Sequence, residues 1–290
     1  MLKDLIPVIS QKIAEEIVST KPLSGGSISS AYLINSDKSK YFLKVNSAAN
    51  ALKMFHEEQK GLNAIEATKT IAVPHVYFAD ILDQNAFILM DFIESKRPSP
   101  SDYSRLGIEL AKLHMAVFNE FGFTSDNFIG SLPQRNKKHD RWSDFYWNER
   151  IYPQLQLALN EGLLSVDEVP TQDQFISLFN SFIDEFKPSL LHGDLWGGNY
   201  LISEDGTPFL IDPAVYIGHN MVDIAMSQLF GSFGPEFYDS YHKIIERPKQ
   251  YNEQIDLYQL YFLLVHLNLF GKGYYSSVST ILSRYFQNSK

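Results

Sequence analysis

The fold is decided by residues 190–214, which read LLHGDLWGGNYLISEDGTPFLIDPA. This segment contains Asp194, then Asn199 five residues later, then Asp212 after thirteen more. Residues 200–203 and 207–211 are strand-like, and the Glu-Asp-Gly between them is typical of a hairpin turn. Asn199 and Asp212 therefore stand at the start and the end of one predicted hairpin, which brings both side chains to the same end of its two strands.

These three polar side chains suit one kind of chemistry. An Asn oxygen and a carboxylate close together are suitable hard ligands for Mg²⁺ held against phosphates. Asp194, on the loop just before Asn199, can accept a proton from a hydroxyl nucleophile. Taken singly, His-Gly-Asp and Asp-Gly indicate only turns. An Asp before Pro often has only a capping role at the end of a secondary-structure element. At this spacing around a hairpin they match the catalytic loop and metal-binding segment of kinases.

The first 93 residues read as a small α+β lobe with an antiparallel sheet and one long helix. Apolar residues at helical or alternating spacing mark its elements. The predicted helices cover residues 8–18 and 48–66, and the predicted strands or apolar runs cover residues 29–34, 41–45, 71–79 and 86–93.

Lys44 and Glu58 are predicted to form an ion pair in this lobe. Lys44 shares a face of an apolar strand with Phe42, so its ammonium must reach solvent or meet an anion. Glu58 lies between Phe55 and Leu62 on the apolar stripe of its helix, where an unpaired carboxylate is costly. The pair would aim the ammonium at nucleotide phosphates. A small rotation of the stripe would instead leave Glu57 or Glu58 solvated.

Two backbone segments are further candidates for nucleotide binding. Small residues before a strand can close over phosphates through their N–H groups, although a simple hairpin turn is the commoner meaning of Gly-Gly. An apolar strand that runs into a linker offers hinge backbone, which binds adenine in a two-lobed kinase. The candidates are Gly25, Gly26 and Ser27 in the first segment and Met90, Asp91, Phe92 and Ile93 in the second.

Residues 96–101 contain two prolines and two serines and read as a linker. Beyond it the chain is mostly helical, with Ser101 as the predicted N-cap of the first helix and helices at 141–159, interrupted at Pro153, and 172–186. We therefore expect an α+β, bilobal fold. A nucleotide-binding lobe would cover residues 1–94, and a larger helical lobe for catalysis and acceptor binding would cover residues 95–290.

Composition excludes several classes of protein. The chain has 290 residues, a net charge of −9 and no cysteine. An acidic balance disfavours nucleic-acid binding and attachment to anionic membranes. Without cysteine there is no disulfide, thiolate nucleophile or Cys-ligated metal. The N-terminus lacks a secretory pattern and residues 257–270 are too short to span a bilayer, so a cytoplasmic protein is expected.

The chain resembles the fructosamine kinase (ketosamine-3-kinase) family, in the small-molecule branch of the protein-kinase-like superfamily. The resemblance covers nearly the whole chain. Its motifs are Gly25-Gly26-Ser27-Ile28, Phe42-Leu43-Lys44, Phe128-Ile129-Gly130, Leu191-His192-Gly193-Asp194-Leu195-Trp196-Gly197-Gly198-Asn199, Ile211-Asp212-Pro213-Ala214-Val215-Tyr216 and His266-Leu267-Asn268-Leu269-Phe270-Gly271.

This resemblance implies a protein-kinase-like fold and phosphorylation by ATP, with Mg²⁺, of a ketosamine hydroxyl on a glycated small molecule or protein amine. The residues would then have distinct roles. Asp194 would be the base, Asn199 and Asp212 the metal ligands, Lys44 and Glu58 the phosphate-anchoring pair, Trp196 a lining residue of the substrate pocket, and His192 and Asp223 supports of the catalytic loop.

Some features leave the acceptor open. Asn220 and Met221 replace the family's Arg-Glu, and Val265 replaces a common Asn. The basic run at 135–141 is either a solvated loop or a loop facing phosphate or acceptor. Protein kinases usually carry an Arg between His and Asp that holds a phosphorylated activation loop, and Gly193 cannot do this. The ten residues between Asp212 and Asp223 are too few for a long activation segment, and both facts favour a small acceptor or a side-chain adduct. The alternatives are kinases of aminoglycosides, choline, homoserine-like alcohols or free sugars, and a nucleotide-binding pseudokinase; oligomeric state is undetermined.

Overall fold

The computed structural model describes residues 1–24, 29–116, 118–231 and 233–287. Two compact units divide the chain. The first contains residues 1–97 and 201–212, and the second contains residues 98–200 and 213–290. The first segment of the first unit ends at residue 97, three residues beyond the boundary expected from the sequence, and the unit also takes in a segment from beyond the middle of the chain.

The first unit is built on a five-stranded antiparallel sheet with strand order β1-β2-β3-β5-β4. One face packs on α1 through Tyr41, Leu43 and Val45, and the other packs on α2. In chain order its elements are α1 (Leu2–Ile13), β1 (Ile17–Leu23), β2 (Ser30–Ser36), β3 (Lys40–Asn46), α2 (Ala51–Thr68), β4 (Val76–Leu82) and β5 (Asn85–Asp91).

The opening of the chain departs from the prediction of a helix at 8–18. Helix α1 ends at Ile13 because Ala14 takes a left-handed conformation, with φ of 55°. The isoleucine spacing continues to Ile17, but Ile17 begins strand β1, which pairs with β2. A spacing of four residues fits a helix and also the same face of an extended strand, so the pattern alone did not separate the two.

The second unit is mainly helical and also holds several three-residue strands. In chain order its elements are α3 (Pro100–His114), β6 (Asn127–Ile129), β7 (Leu132–Gln134), α4 (Trp142–Tyr146), a π-helical turn (Trp147–Ile151), α5 (Tyr152–Asn160), a 3₁₀ turn (Val166–Glu168), α6 (Gln172–Phe182) and β8 (Ser189–Leu191).

After β8 come a hairpin, which from Leu201 onward belongs to the first unit, and then the remaining elements of the second unit. These elements are β9 (Tyr200–Ile202), β10 (Pro208–Leu210), β11 (Tyr216–Gly218), α7 (Met221–Leu229), α8 (Pro235–His242), α9 (Tyr251–Phe270), a 3₁₀ turn (Lys272–Tyr274), α10 (Tyr275–Leu282) and a π-helical turn (Ser283–Gln287).

Helix α3 is capped by Ser99 and not by Ser101 as predicted. The Ser99 hydroxyl accepts from the Asp102 amide, and the Asp102 carboxylate accepts from the Ser99 amide at 2.9 Å. Pro100 then takes the first helical position, where its missing N–H costs nothing. Pro153 lies in the first turn of α5, directly after the π-helical turn, so the predicted 141–159 helix is present as α4, a π-helical turn and α5 in direct succession.

The predicted hairpin at 200–211 is confirmed as β9 and β10. Its strands bond to the linker and to the segment before β4: the Lys96 amide donates to Ile202 O at 2.9 Å, and the Leu210 amide donates to Ala72 O at 2.9 Å. Two three-residue strands form few hydrogen bonds with each other, so a hairpin of this size needs further contacts to be stable. The bonds from Lys96 and Leu210 attach it to the rest of the first unit. Asp212 ends this segment.

Strands β8 and β11 pair with each other, and neither was predicted from the sequence. Leu191 pairs with Tyr216, so the segment entering His192 lies beside the segment that follows Asp212. Three-residue strands carry too little alternation to stand out. Among the described residues, no helix is long and apolar enough to cross a membrane.

Candidate functional site

The first unit holds Lys44, Glu58 and Asp212 together. Lys44 Nζ lies 2.8 Å from Glu58 Oε1 and also contacts Asp212 Oδ1. The Lys44 and Glu58 side chains are only 12% and 14% exposed. Lys44 faces α2 because residues 41, 43 and 45 of the same strand face α1. The predicted ion pair is present, and Asp212 joins it from 168 residues away along the chain.

Electrostatics hold this cluster in a defined charge state. Burial lowers the pKa of Lys44, but the carboxylates of Asp212 and Glu58 outweigh burial and raise that pKa above its ordinary value. Burial raises the pKa of Glu58, against the opposing effect of the Lys44 ammonium. Lys44 is therefore a fixed cation, flanked by two acidic groups that orient its N–H donors. Such a group can hold the negative oxygens of a phosphate.

Asp212 has an unusual backbone. Its φ is 54°, in the left-handed region, and its side chain is 43% exposed. That conformation costs a non-glycine residue about 1–2 kcal/mol, and Asp tolerates it better than most. Pro213 follows immediately, and the exposed carboxylate is accessible to a ligand. Strained polar residues of this kind are often found at functional sites.

The candidate hinge follows the central part of β5. Met90 is 2% exposed within the strand, whereas Asp91 ends it with an amide that donates to His75 O. The chain then leaves the strand at Phe92 and Ile93 and runs into the linker. This stretch is the candidate hinge backbone for a ligand. Gly25, Gly26 and Ser27 lie outside the described residues.

The second unit brings Asp194 and Asn199 together. The Asn199 amide nitrogen donates to Asp194 O at 2.8 Å and to Asp194 Oδ2 at 3.1 Å. Asn199 is 5% exposed, while Asp194 is half-buried. Because the NH₂ group of Asn199 is used on Asp194, its carbonyl oxygen is the end left to accept from or coordinate a ligand.

Asp223 supports the loop that carries Asp194. Its carboxylate accepts from the backbone amides of His192 at 2.7 Å and Gly193 at 2.9 Å. His114 Nε2 lies 3.1 Å from the same carboxylate, and the side chains of Asp223 and His114 are completely buried. The His192 ring accepts from the Asp194 amide at 3.2 Å. Buried charge-assisted bonds of this kind hold a loop in one conformation.

Gly193 can be nothing but glycine here. Its φ is 82°, and a Cβ atom would stand 2.1 Å from Ala214 O. The Ala214 amide donates to His192 O at 2.8 Å, so the two backbones are in direct contact. The close approach explains the missing arginine that protein kinases carry at this position.

A buried amide cluster in the second unit was not predicted. Gln134 donates to Ala214 O at 3.1 Å, Asn127 donates to Val215 O at 2.8 Å, and Tyr261 donates to Gln134 Oε1 at 2.7 Å. The cluster fixes the segment after Asp212. Gln134 and Asn127 face each other across β6 and β7, and only pairing of those short strands brings them together.

The structure also shows the contacts of the positions whose roles the sequence left open. Asn220 donates to Tyr241 at 2.7 Å, and Met221 and Val265 are buried. In the basic run, Lys138 pairs with Glu120 and Arg141 pairs with Asp144. These two cations of the run are therefore paired with carboxylates.

Trp196 lies in the loop between Asp194 and Asn199, and its side chain is exposed. Its indole is 40% exposed and lies against Gly198, where a Cβ atom would come within 2.4 Å of the ring. The ring is thus held by the backbone of the second glycine in the Gly-Gly pair. An exposed, fixed indole can stack on the apolar face of a sugar.

Each unit contributes one residue whose side chain is a suitable ligand for a divalent cation. Among the described residues, no group of three or more His, Asp or Glu side chains forms a ready-made metal site. One exposed carboxylate, Asp212, and one amide oxygen, on Asn199, are hard ligands, and Mg²⁺ is usually bound by one or two carboxylates with phosphate oxygens and water.

Comparisons with known proteins agree with this chemistry. A family model described as "Fructosamine kinase" matches residues 1–288. The chain is 37% identical to a probable ketoamine kinase of Vibrio parahaemolyticus, covering 95% of this chain and 97% of that one. It is 36% identical to the chloroplastic protein-ribulosamine 3-kinase of Arabidopsis thaliana, covering 98% and 87% of the two chains.

Solved structures give the same result for the fold. A candidate fructosamine-3-kinase of Haemophilus somnus superposes with a TM-score of 0.87 at 27% identity, covering 99% of this chain and 98% of that one. An aminoglycoside phosphotransferase, in ternary complex with ADP and hygromycin B, superposes with a TM-score of 0.65 at 15% identity over 98% and 99% of the chains. The latter likeness establishes the kinase-like fold alone.

Proposed function

We propose that this chain, which belongs to the fructosamine kinase family, transfers the γ-phosphate of ATP to a sugar hydroxyl of a ketosamine. The observation that carries the proposal is the match of the family model to residues 1–288, since it includes every residue to which a role is given. The ketosamine is a fructosyl- or ribulosyl-amine on an amino acid or a protein lysine.

Lys44 is proposed to bind the nucleotide phosphates. Its ammonium is buried and held by Glu58 at 2.8 Å, so its position is fixed before ATP arrives. A preorganised cation stabilises the charge that develops on the phosphoryl oxygens and needs no reorganisation during the reaction. The hinge backbone from Met90 to Ile93 would bind the adenine edge.

Asn199 and Asp212 are proposed to hold Mg²⁺ through an amide oxygen and a carboxylate. When bound, the ion neutralises phosphate charge and orients the transferring group. Asn199 has a second role, because its NH₂ group donates to Asp194 and so fixes the direction of that carboxylate. Lys44 holds the Asp212 carboxylate in the same way.

Asp194 is proposed to act as the base. It would accept the proton of the sugar hydroxyl as that oxygen attacks the γ-phosphorus, and ADP leaves with the electrons of the broken bond. Asp223 holds the loop from behind by two backbone hydrogen bonds. Trp196 would stack on the sugar and bring the hydroxyl to Asp194.

The proposal is tested by assaying the purified chain with Mg-ATP against matched acceptors. The panel contains fructosyl-lysine, ribulosyl-lysine, free fructose, an aminoglycoside and choline, with ADP formation and phosphate-labelled product both measured. We expect the ketosamines to turn over with the highest kcat/KM. Inert ketosamines with good turnover of another class would overturn the acceptor and leave the kinase chemistry in place.

A further inference from the structure

A surface row of aromatic rings starts at the proposed substrate residue Trp196 and continues away from it. It consists of Trp196, Phe230, His266, Phe270 and Tyr274, and we name these five residues the aromatic row. All five belong to the second unit. Three of them are unusually exposed for large apolar side chains, with 40%, 39% and 58% exposure at Trp196, Phe230 and Phe270.

The rings of the row form an unbroken series of contacts. The centroids of Trp196 and Phe230 are 6.4 Å apart, with the rings nearly perpendicular. Phe230 and His266 are 4.8 Å apart, and His266 lies 5.5 Å from Phe270 and 5.0 Å from Tyr274. An exposed apolar series of this size on a soluble domain is commonly a binding surface.

His266 makes this surface an acceptor of hydrogen bonds. Its Nδ1 lies 2.8 Å from Phe262 O, and a carbonyl oxygen only accepts, so Nδ1 carries the proton. Burial lowers the pKa of His266, which keeps the ring neutral and leaves a lone pair on Nε2. Among the described residues Nε2 has no partner, and it is not sealed from solvent.

The row therefore offers π faces and one nitrogen lone pair, and each of these attracts a cation that carries N–H donors. Asp194, the proposed base, precedes Trp196 by two residues in the same loop and carries a carboxylate. This is the charge complement of an alkylammonium group. A neutral sugar presents hydroxyls and an apolar face but no such cation.

We propose that the aromatic row binds the protonated amine of the acceptor and the first carbons of its substituent. This inference rests on the proposed function, because it assumes that a ketosamine is bound with its 3-hydroxyl at Asp194. In a ketosamine only C2 separates the carbon that carries the amine from the carbon that carries this hydroxyl. The amine thus begins beside Trp196, and its substituent continues along Phe230 and His266 toward Phe270.

This arrangement makes the amine itself a specificity element. A free ketose stacks on the same indole, but it carries a neutral hydroxyl in place of the amine and therefore has no cation for Phe230 or His266. The substituent is bound through rings at an exposed surface and not in a closed pocket. A lysine side chain on a protein and a free amino acid can therefore both be accommodated.

The test uses two acceptors that differ in one group, 1-butylamino-1-deoxyfructose and the ether 1-O-butylfructose. Their shape is nearly the same, but only the first is cationic. The wild type should favour the amine in kcat/KM by roughly three- to tenfold, as expected for a cation on aromatic faces. Phe230→Leu keeps an apolar side chain and removes the π face, so this preference should fall to within about twofold of unity.

Tyr152→Leu is the matched control, because Tyr152 is 45% exposed in the same unit and its ring packs on Trp147, outside the row. Its amine preference should equal that of the wild type. Circular dichroism and the KM for ATP show whether each variant is folded. A folded Phe230→Leu variant that keeps the full preference, or a wild type without any preference, would overturn the proposal.

Calorimetric binding of both acceptors in the presence of AMP-PNP separates this proposal from the proposed function. Amine-selective binding that depends on Phe230 but leads to no phosphorylation would refute the kinase function and retain the row as an amine site. Phosphorylation of ketosamines without any dependence on Phe230 would retain the kinase function and refute the row as an amine site. Absence of both binding and turnover would refute both.

Discussion

Lys44 Nζ lies 2.8 Å from Glu58 Oε1, between a strand and a helix that are separate in the sequence but packed together in the first unit. Both groups are largely buried. Burial raises the pKa of Glu58 and the Lys44 ammonium acts to lower it, whereas Asp212 together with Glu58 raises the pKa of Lys44 against the effect of burial. The pair is thus one functional group and not two.

Lys44→Met and Glu58→Gln should therefore cause similar losses of kcat/KM for ATP, and the double variant should lose little more than either single variant. The expected coupling is roughly 0.5–3 kcal/mol. The measurement is a double-mutant cycle on ATP turnover. Glu57→Gln is the control, since Glu57 is the adjacent carboxylate and pairs with Lys60 instead. Losses that multiply in the double variant would show that Lys44 and Glu58 act independently.

Asp194→Asn should reduce kcat by about 10² or more while leaving the KM for ATP nearly unchanged, because proton acceptance is lost and the nucleotide contacts are elsewhere. Asn is nearly isosteric and still presents an oxygen to the Asn199 amide, so the loop should keep its shape. Steady-state kinetics with ATP and a ketosamine measure the effect. Wild-type kcat in this variant would exclude Asp194 as the base.

Asp212→Asn should weaken the Mg²⁺ dependence of turnover more than it disturbs the fold. Asn is the side chain best suited to replace Asp at a φ of 54°, so the backbone is preserved while the carboxylate is lost. The concentration of Mg²⁺ needed for half-maximal activity should rise by about tenfold or more. Titration of MgCl₂ at saturating ATP measures it, and an unchanged midpoint would contradict the assignment.

Gly198→Ala should raise the KM for the acceptor by about tenfold and leave the KM for ATP within about twofold, because the new methyl group displaces the Trp196 indole. Gly273→Ala is the control, since a Cβ atom there meets nothing within 4 Å. Initial rates at varied acceptor and varied ATP separate the two KM values. Equal changes in both would indicate a general distortion of the loop.

His219 should make the protein less stable in acid. Burial lowers the pKa of His219 to about 3, from an ordinary value of 6.5, and its Nδ1 lies 2.6 Å from the Tyr258 hydroxyl. Between these two pH values the unfolded chain binds a proton that the folded chain does not. The free energy of unfolding therefore falls as the pH falls below 6.5, by up to about 1.4 kcal/mol per pH unit from this residue.

The measurement is urea unfolding of the wild type and of His219→Gln at about pH 7.5 and about pH 5.5. The wild type should lose about 1.4 kcal/mol more than the variant over this interval. Parallel losses in the two proteins would mean that His219 is not neutral when folded.

The sequence alone determined the order of the main elements and the chemistry of the site. Lys44 on an apolar strand and Glu58 on an apolar stripe each called for a partner of opposite charge, and each is the other's partner. The hairpin between Asn199 and Asp212 was visible because turn residues and alternation are local signals. Asp194 and Asn199 are five residues apart, so local geometry alone keeps them near each other.

Only the tertiary structure decided how distant groups support these residues. The family resemblance named Asp223 as a support of the catalytic loop, but its bonds to the amides of His192 and Gly193, from about thirty residues away, depend on packing. Strand β8 pairs with β11 without any pattern of its own. Phe230 and His266 join Trp196 in one aromatic row only because three separate segments converge. Sequence periodicity records which face of an element is apolar; the neighbour that covers that face is chosen by packing, which no local pattern encodes.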